Sequence, residues 1–324
     1  MGIQQMYLGG TNKLIPVGQS LWNGISTQSA SWTVPTDVTA ISAVAVGGGG
    51  NGSQGYVSTH THGGTGGNGG NLAYSNDIAV TPGDSLTIVI APQTAAQSGS
   101  AQSDGNDGGE SGIKRGSTWL LKAVGGKGGA RTRLNASWNI LNDSGSVGDV
   151  VRSGGLGGCR RAPTSGENFC GGGGAAGYSG GGGDGGVYVG YGSTSSYALS
   201  GSAGSGGGGS GGVAHNNGAG AGGGGVGLLG EGSSGAAVPI YDPSDSQYWS
   251  YTDRNSTRGN PGSGGTIGSV ASNGDDGGNG GHYGGGAGGQ KNQNRDDWGR
   301  GGAGGVRIIH GTGRAYPSTR TADE

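Results

Sequence analysis

Apolar residues are unevenly spread along this chain. In roughly the first 125 residues they fall into short strand-length runs: Trp32-Thr33-Val34, Ala40 to Val46, Asn71 to Val80, Ser85 to Ile90 and Trp119 to Val124. Each run is bounded by glycine or turn residues and is rich in β-branched or aromatic side chains, which predicts strands. Pro82-Gly83-Asp84 predicts the turn between two of them. One more run, Val306-Arg307-Ile308-Ile309, stands alone near the far end. Four apolar-rich residues there have nowhere to bury except against the N-terminal sheet. The pattern therefore predicts a small β-sandwich closed by a C-terminal strand, with the middle of the chain as one long excursion. Helical periodicity is nearly absent; Ser137 to Leu141 is the one stretch compatible with a helical turn.

The excursion is dominated by glycine, 88 of 324 residues, in runs such as Gly171 to Gly174, Gly180 to Gly183, Gly206 to Gly209 and Gly222 to Gly225. Glycine at that density argues for disorder, because it loses the most backbone entropy on ordering and buries nothing. Collagen is excluded by irregular spacing and only 9 prolines. A third arrangement packs glycine segments side by side in the polyproline II conformation, with backbone N–H and C=O groups bonded between neighbours. Such a polyglycine II bundle needs little apolar core, in keeping with a chain that is 30% hydrophobic and 12% charged. The expected fold class is mainly β and irregular: a sandwich plus a glycine-rich bundle bearing surface loops. The expected divisions are 1–30 as an attachment segment, 31–125 with 301–313 as the sandwich, 126–300 as the bundle and 314–324 as a tail.

Charge narrows the function classes. The formal net charge is −2, and no Lys/Arg cluster is interleaved with aromatics, so no nucleic-acid partner is expected. No run approaches the ~20 apolar residues of a bilayer span, so no membrane insertion is expected. Met1 to Met6 lacks a charged start and a long apolar stretch, so no secretory signal is expected. Cys159 and Cys170 bracket one insert, and a disulfide between them would contribute on the order of 2–3 kcal/mol by loop entropy. Two thiols in a reducing cytosol are the alternative.

The inserts between glycine segments carry the candidate chemistry. Trp138, Tyr188, Tyr191, Tyr197, Tyr241, Tyr248, Trp249, Tyr251 and Trp298 are more aromatics than a core requires. Tyr, Ser, Gly and Asn together resemble a paratope in composition, rigid contact area with adaptable hydrogen bonds. The alternative is that these rings cover the bundle ends. His60-Thr61-His62 is a weak metal candidate, since alternate residues of an extended segment share a face, and a solvated loop is the better reading. Asp275-Asp276 and Asp296-Asp297 suit exposed turns or weak calcium sites better than an acid/base couple. Gly177-Tyr178-Ser179-Gly180-Gly181 and Gly208-Gly209-Ser210-Gly211-Gly212 match the G-x-S-x-G pattern without its strand-to-helix context, so no enzyme and no cofactor are expected.

Ser31-Trp32-Thr33-Val34-Pro35-Thr36-Asp37-Val38 running through Ala40 to Gly50, then Asp77-Ile78-Ala79-Val80-Thr81-Pro82-Gly83-Asp84 and Gly304-Gly305-Val306-Arg307-Ile308-Ile309, resemble the glycine-rich domain of bacteriophage tail-fibre proteins. Met1 to Leu8 is similar to the opening of many phage virion proteins. The tail-fibre tip adhesins of T-even-like phages display loops on a polyglycine II bundle, so the resemblance implies receptor recognition by the inserts. It implies a bacterial outer-surface receptor, protein or glycan, as one partner and other fibre or baseplate subunits as another. It also implies a virion component made in the host cytoplasm. The N-terminus departs from those adhesins, which leaves open the protein it joins. The rival expectations are an architectural virion protein, an ice-binding polyglycine II protein, and a glycan-cutting depolymerase.

Overall fold

The computed structural model describes residues 17–25, 28–54, 64–95, 104–130, 145–158, 168–189, 197–198, 200–212, 215–216, 220–238, 258–269, 277–290 and 299–317. Among them there is no helix. The strands are β1 (Gly18–Asn23), β2 (Ser29–Thr33), β3 (Ala40–Val46), β4 (Leu72–Ala79), β5 (Ser85–Val89), β6 (Ser111–Arg115), β7 (Thr118–Ala123), β8 (Val150–Arg152), β9 (Asn168–Phe169), β10 (Tyr188–Val189), β11 (Tyr197–Ala198), β12 (His215–Asn216) and β13 (Gly305–His310). Two antiparallel sheets, ordered β1-β13-β3-β4-β8 and β2-β5-β6-β7, face each other. Val34, Ile41, Leu86, Ile88, Ile113, Leu121, Val306 and Ile308 fill the space between them.

The two sheets differ in how many faces they bury. In β5, Leu86 and Ile88 are buried while Ser85 and Thr87 are exposed, the alternation of a sheet solvated on one side. In β3 only Ala40 is exposed, and β13 is buried throughout. Their second face carries another apolar cluster, in which Val44, Val46, Leu72, Tyr74 and Ile309 meet Ala175, Ala176, Tyr178, Val226 and Leu228 of the glycine-rich part. β13 sits between β1 and β3, pairing Ile308 with Ala43 and Leu21 with Arg307, so the C-terminal strand completes the sheet from within.

Beyond the sheet, segments such as 47–53 continue directly from strands. Gly47, Gly48 and Gly49 donate to the carbonyls of Asn71, Gly109 and Gly302; Gly50 and Asn51 then return to Asn68 and Asn106, all at 2.8–3.0 Å. The partner changes at each residue and comes back after three. Segment 170–176 repeats this in full. It donates to Gly64, Gly67 and Gly70, to Gly186 and Gly183, and to Ala221 and Gly224, and it accepts from 155 and 158, 209 and 212, and 286 and 289. An inner segment therefore has a full ring of neighbours. Glycine is needed there for closeness: a Cβ on Gly49 would lie 1.9 Å from the Gly285 carbonyl oxygen, and one on Gly172 2.2 Å from that of Gly286.

Some boundaries differ from the sequence expectation. β1 and the start of β2 lie within the expected attachment stretch 1–30, and Arg314 and Tyr316, in the expected tail, are buried. Segments 47–53, 64–71 and 104–109, within the stretch expected to be sandwich, belong by their hydrogen bonds to the glycine array. β1 and β6 carry few apolar residues and β8 is only three residues long, so their neighbours in the sheet rather than their own pattern place them.

Candidate functional site

The glycine segments alternate in direction, and their ends sort into two sets. Segments 47–54, 124–130 and 153–158 lead away from β3, β7 and β8, whereas 64–71, 104–110 and 299–304 lead back into β4, β6 and β13. Short turns at 178–180, 206–207, 263–264 and 282–284 close the chain on the sheet side, where Gly206, Gly264 and Gly284 take the left-handed backbone. The far ends are the points from which the long inserts leave. Gln54 pairs in parallel with Gln290, placing the exits of 55–63 and 291–298 side by side. The register of Gly158 with Gly171, Gly171 with Gly186, Gly186 with Gly212 and Gly220 with Gly289 brings the exits near 159, 187, 213, 219 and 291 to the same end. Two short ladders, β9 with β12 and β10 with β11, lie next to one another there.

The candidate aromatics relate to this end as follows. Tyr188 and Tyr197 lie in β10 and β11, paired across from Ala198 and Val189. Trp138, Tyr191, Tyr241, Tyr248, Trp249, Tyr251 and Trp298 lie outside the described residues, as do His60, His62 and Cys159. Gly158, beside Cys159, donates to the carbonyl of Gly171, beside the buried Cys170. Asp275-Asp276 and Asp296-Asp297 are likewise outside the described residues.

Both G-x-S-x-G matches fall in the glycine array. Ser179 lies in a turn and donates to Glu231 Oε1 at 2.7 Å. Ser210 is buried, and its Oγ accepts the Asn260 N–H at 2.8 Å. Tyr178, between the sheet and the array, donates to Gly227 O and accepts from Gly230 N. It stacks on Tyr316 with ring centroids 5.9 Å apart and lies 6.2 Å from Tyr74. Burial raises all three phenols above their ordinary pKa of 10.0, so these rings are neutral packing groups. Beside them Arg307, fully buried, donates to Gln19 Oε1 at 2.6 Å and to Leu228 O at 3.2 Å. Asn76 brackets the Tyr316 backbone with hydrogen bonds of 2.8 and 2.9 Å. These contacts fasten the sheet to the glycine array behind the insert-bearing end.

A second group of residues escapes a search for aromatics. At the outer segments, polar side chains accept backbone N–H groups: Asp107 from Gly128, Asp184 from Leu156, Asn279 from Arg300 and Ser269 from Asn279, each at 2.7–2.8 Å. The signal for Asp107, Asp184 and Asn279 is a polar residue next to glycine pairs, as in Thr65-Gly66-Gly67-Asn68-Gly69-Gly70-Asn71, whereas Ser269 follows Ile267-Gly268 and carries no such signal. No protein-family model matches the chain, and no curated protein is similar to it.

Proposed function

We propose that the glycine array is a polyglycine II bundle and that the protein is a phage tail-fibre receptor-binding protein, reading a bacterial surface through the inserts at the bundle's far end. Three-residue recurrence of backbone partners supports the first part, as expected for a helix with three residues per turn. The single observation that carries the second is the gathering of insert exits at the end remote from the sandwich. Inserts anchored at both ends on a hydrogen-bonded lattice lose less entropy on docking than inserts on a flexible chain. Many copies on one particle would multiply a modest affinity. In this reading Tyr188, Tyr191, Tyr197, Tyr241, Tyr248, Trp249 and Tyr251, with Trp138 and Trp298, supply rigid contact area, and the sandwich faces the rest of the virion.

The test is binding of labelled protein to a panel of bacterial cells, with competition by outer-membrane protein and by lipopolysaccharide. Saturable binding to a narrow subset is expected, and Tyr248→Ala with Trp249→Ala should abolish it while leaving the unfolding transition in place. Absence of binding to every strain, by a folded protein, would transfer the protein to the architectural class.

A further inference from the structure

The outer glycine segments meet an unusual difficulty. A segment whose N–H groups point in three directions in turn has, at the edge of the array, one direction in which no backbone carbonyl accepts. This holds even where a neighbouring segment donates to its own carbonyls, as Ser269, Thr266 and Ser202 do to Asn279, His282 and Asp184. In 277–283, Gly278 and Gly281 donate to Gly220 and Gly223, and Gly280 donates to Arg300. The third row, Asn279 and His282, donates instead to Ser269 Oγ and Thr266 Oγ1, both at 2.7 Å. Those same two residues then serve the next segment, where Asn279 Oδ1 accepts from Arg300 N at 2.7 Å and His282 Nδ1 from Ala303 N at 3.0 Å. On another flank Gly182 and Gly185 donate to Ser153 and Leu156, and Gly183 and Gly186 to Gly209 and Gly212. The remaining row begins with Asp184, which donates to Ser202 Oγ at 2.7 Å while its own Oδ1 accepts from Leu156 N at 2.8 Å. Asp184, Ser202, Thr266 and Asn279 are exposed, whereas Gly183, Gly185, Gly278 and Gly280 beside them are buried, so these acceptors mark the rim.

We infer that these rim side chains keep the array finite. A row of N–H groups at 3-residue spacing is what the array itself uses to add a neighbour, so an uncovered row is a template for a glycine segment of a second copy. The hazard is that of an exposed sheet edge, transposed to a different lattice. Side-chain oxygens occupy the row, at every third residue for Asn279 and His282 and at Asp184 on the other flank, and a second copy finds no donors to pair with there. The inference concerns the flanks of the array and does not depend on what the inserts bind.

Sedimentation velocity over a hundred-fold dilution series tests it, with the native protein, Thr266→Val/Ser269→Ala and Asp184→Ala/Ser202→Ala compared in parallel. Each double variant is expected to show an added larger species that grows with concentration and is absent from the native protein. Thr266→Ser, which keeps the acceptor oxygen, is expected to sediment as the native protein does. Retention of the far-UV spectrum and of slow amide exchange at Gly172 to Gly174 identifies a folded variant, and two separate flanks guard against one that does not fold. Folded double variants that sediment like the native protein would overturn the inference. Association of Thr266→Ser to the same extent would overturn it too, because the acceptor would then be irrelevant.

Discussion

The sandwich and the glycine array are two answers to one problem, how to satisfy a buried backbone. Between the sheets, side chains such as Leu86, Ile88 and Ile113 fill space and the hydrogen-bond ladder follows from strand pairing. In the array the backbone is the core. Gly171 to Gly174 are buried against other backbones, and nearly all the contact there is peptide on peptide. The first region is specified by what its residues contain and the second by what they lack. A side-chain core tolerates a volume-conserving exchange but suffers from truncation. A backbone core has nothing to truncate and no room for addition.

Gly49→Ala draws that contrast most sharply. Its Cβ would lie 1.9 Å from the Gly285 carbonyl oxygen and 2.5 Å from the carbonyl carbon, and main chain on both sides leaves no side chain to swing away. The substitution is expected to cost more than the ~1–3 kcal/mol of ordinary overpacking, and to disrupt the array around 285–289 as seen by amide exchange. A fully native exchange pattern would show that the array yields like a side-chain core. Tyr316→Ala acts at the seam. It removes a ring stacked on Tyr178 and 6.1 Å from Tyr74, and should cost about 3–5 kcal/mol as a large buried aromatic does. Unfolding followed separately by near-UV signal and by exchange at Tyr178 should then split into two transitions. A single transition would mean that the remaining apolar seam around Leu228 and Val226 holds the regions together without Tyr316. Ile88→Val, wholly inside the sandwich, should cost only about 0.5–1.5 kcal/mol and leave exchange in the array unchanged.

The same contrast explains what could be read in the chain beforehand. Ala40 to Val46, Ser85 to Ile90 and Val306 to Ile309 announce strands because their burial is written in side chains. β6, Ser-Gly-Ile-Lys-Arg, has one core residue and is set by pairing with β5 and β7, which no local pattern displays. In the array the informative period is three, visible at Val124-Gly125-Gly126-Lys127-Gly128-Gly129-Ala130 and Arg300-Gly301-Gly302-Ala303-Gly304-Gly305-Val306. It looks irregular across the whole chain because each insert and turn resets the phase. Rim acceptors such as Asp184 and Asn279 are the X of such triplets, and which flank they face depends on neighbours remote in sequence. The insert aromatics follow from composition, whereas the end from which the inserts leave follows only from the register of the segments.

The smallest effect expected is a proton-linked one, and it separates the regions by pH. His282 lies in the array rim with its pKa lowered from 6.5 by burial, and its Nδ1 accepts the Ala303 N–H, a bond that needs the ring unprotonated at that atom. Well above pH 6.5 the ring is neutral in both folded and unfolded chains, and the stability is complete. As the pH falls below 6.5 the unfolded chain takes up the proton first, so stability declines until the folded pKa has also been passed. His282→Asn supplies an acceptor oxygen that does not titrate. Between about pH 7 and about pH 5 the native protein should therefore lose stability relative to this variant, with the loss appearing as faster exchange at Ala303 and not at Ile88. Parallel pH profiles for the two proteins would mean that the Ala303 N–H finds another acceptor once the imidazole is charged, and that the rim is less dependent on its side chains than the sandwich is on its own.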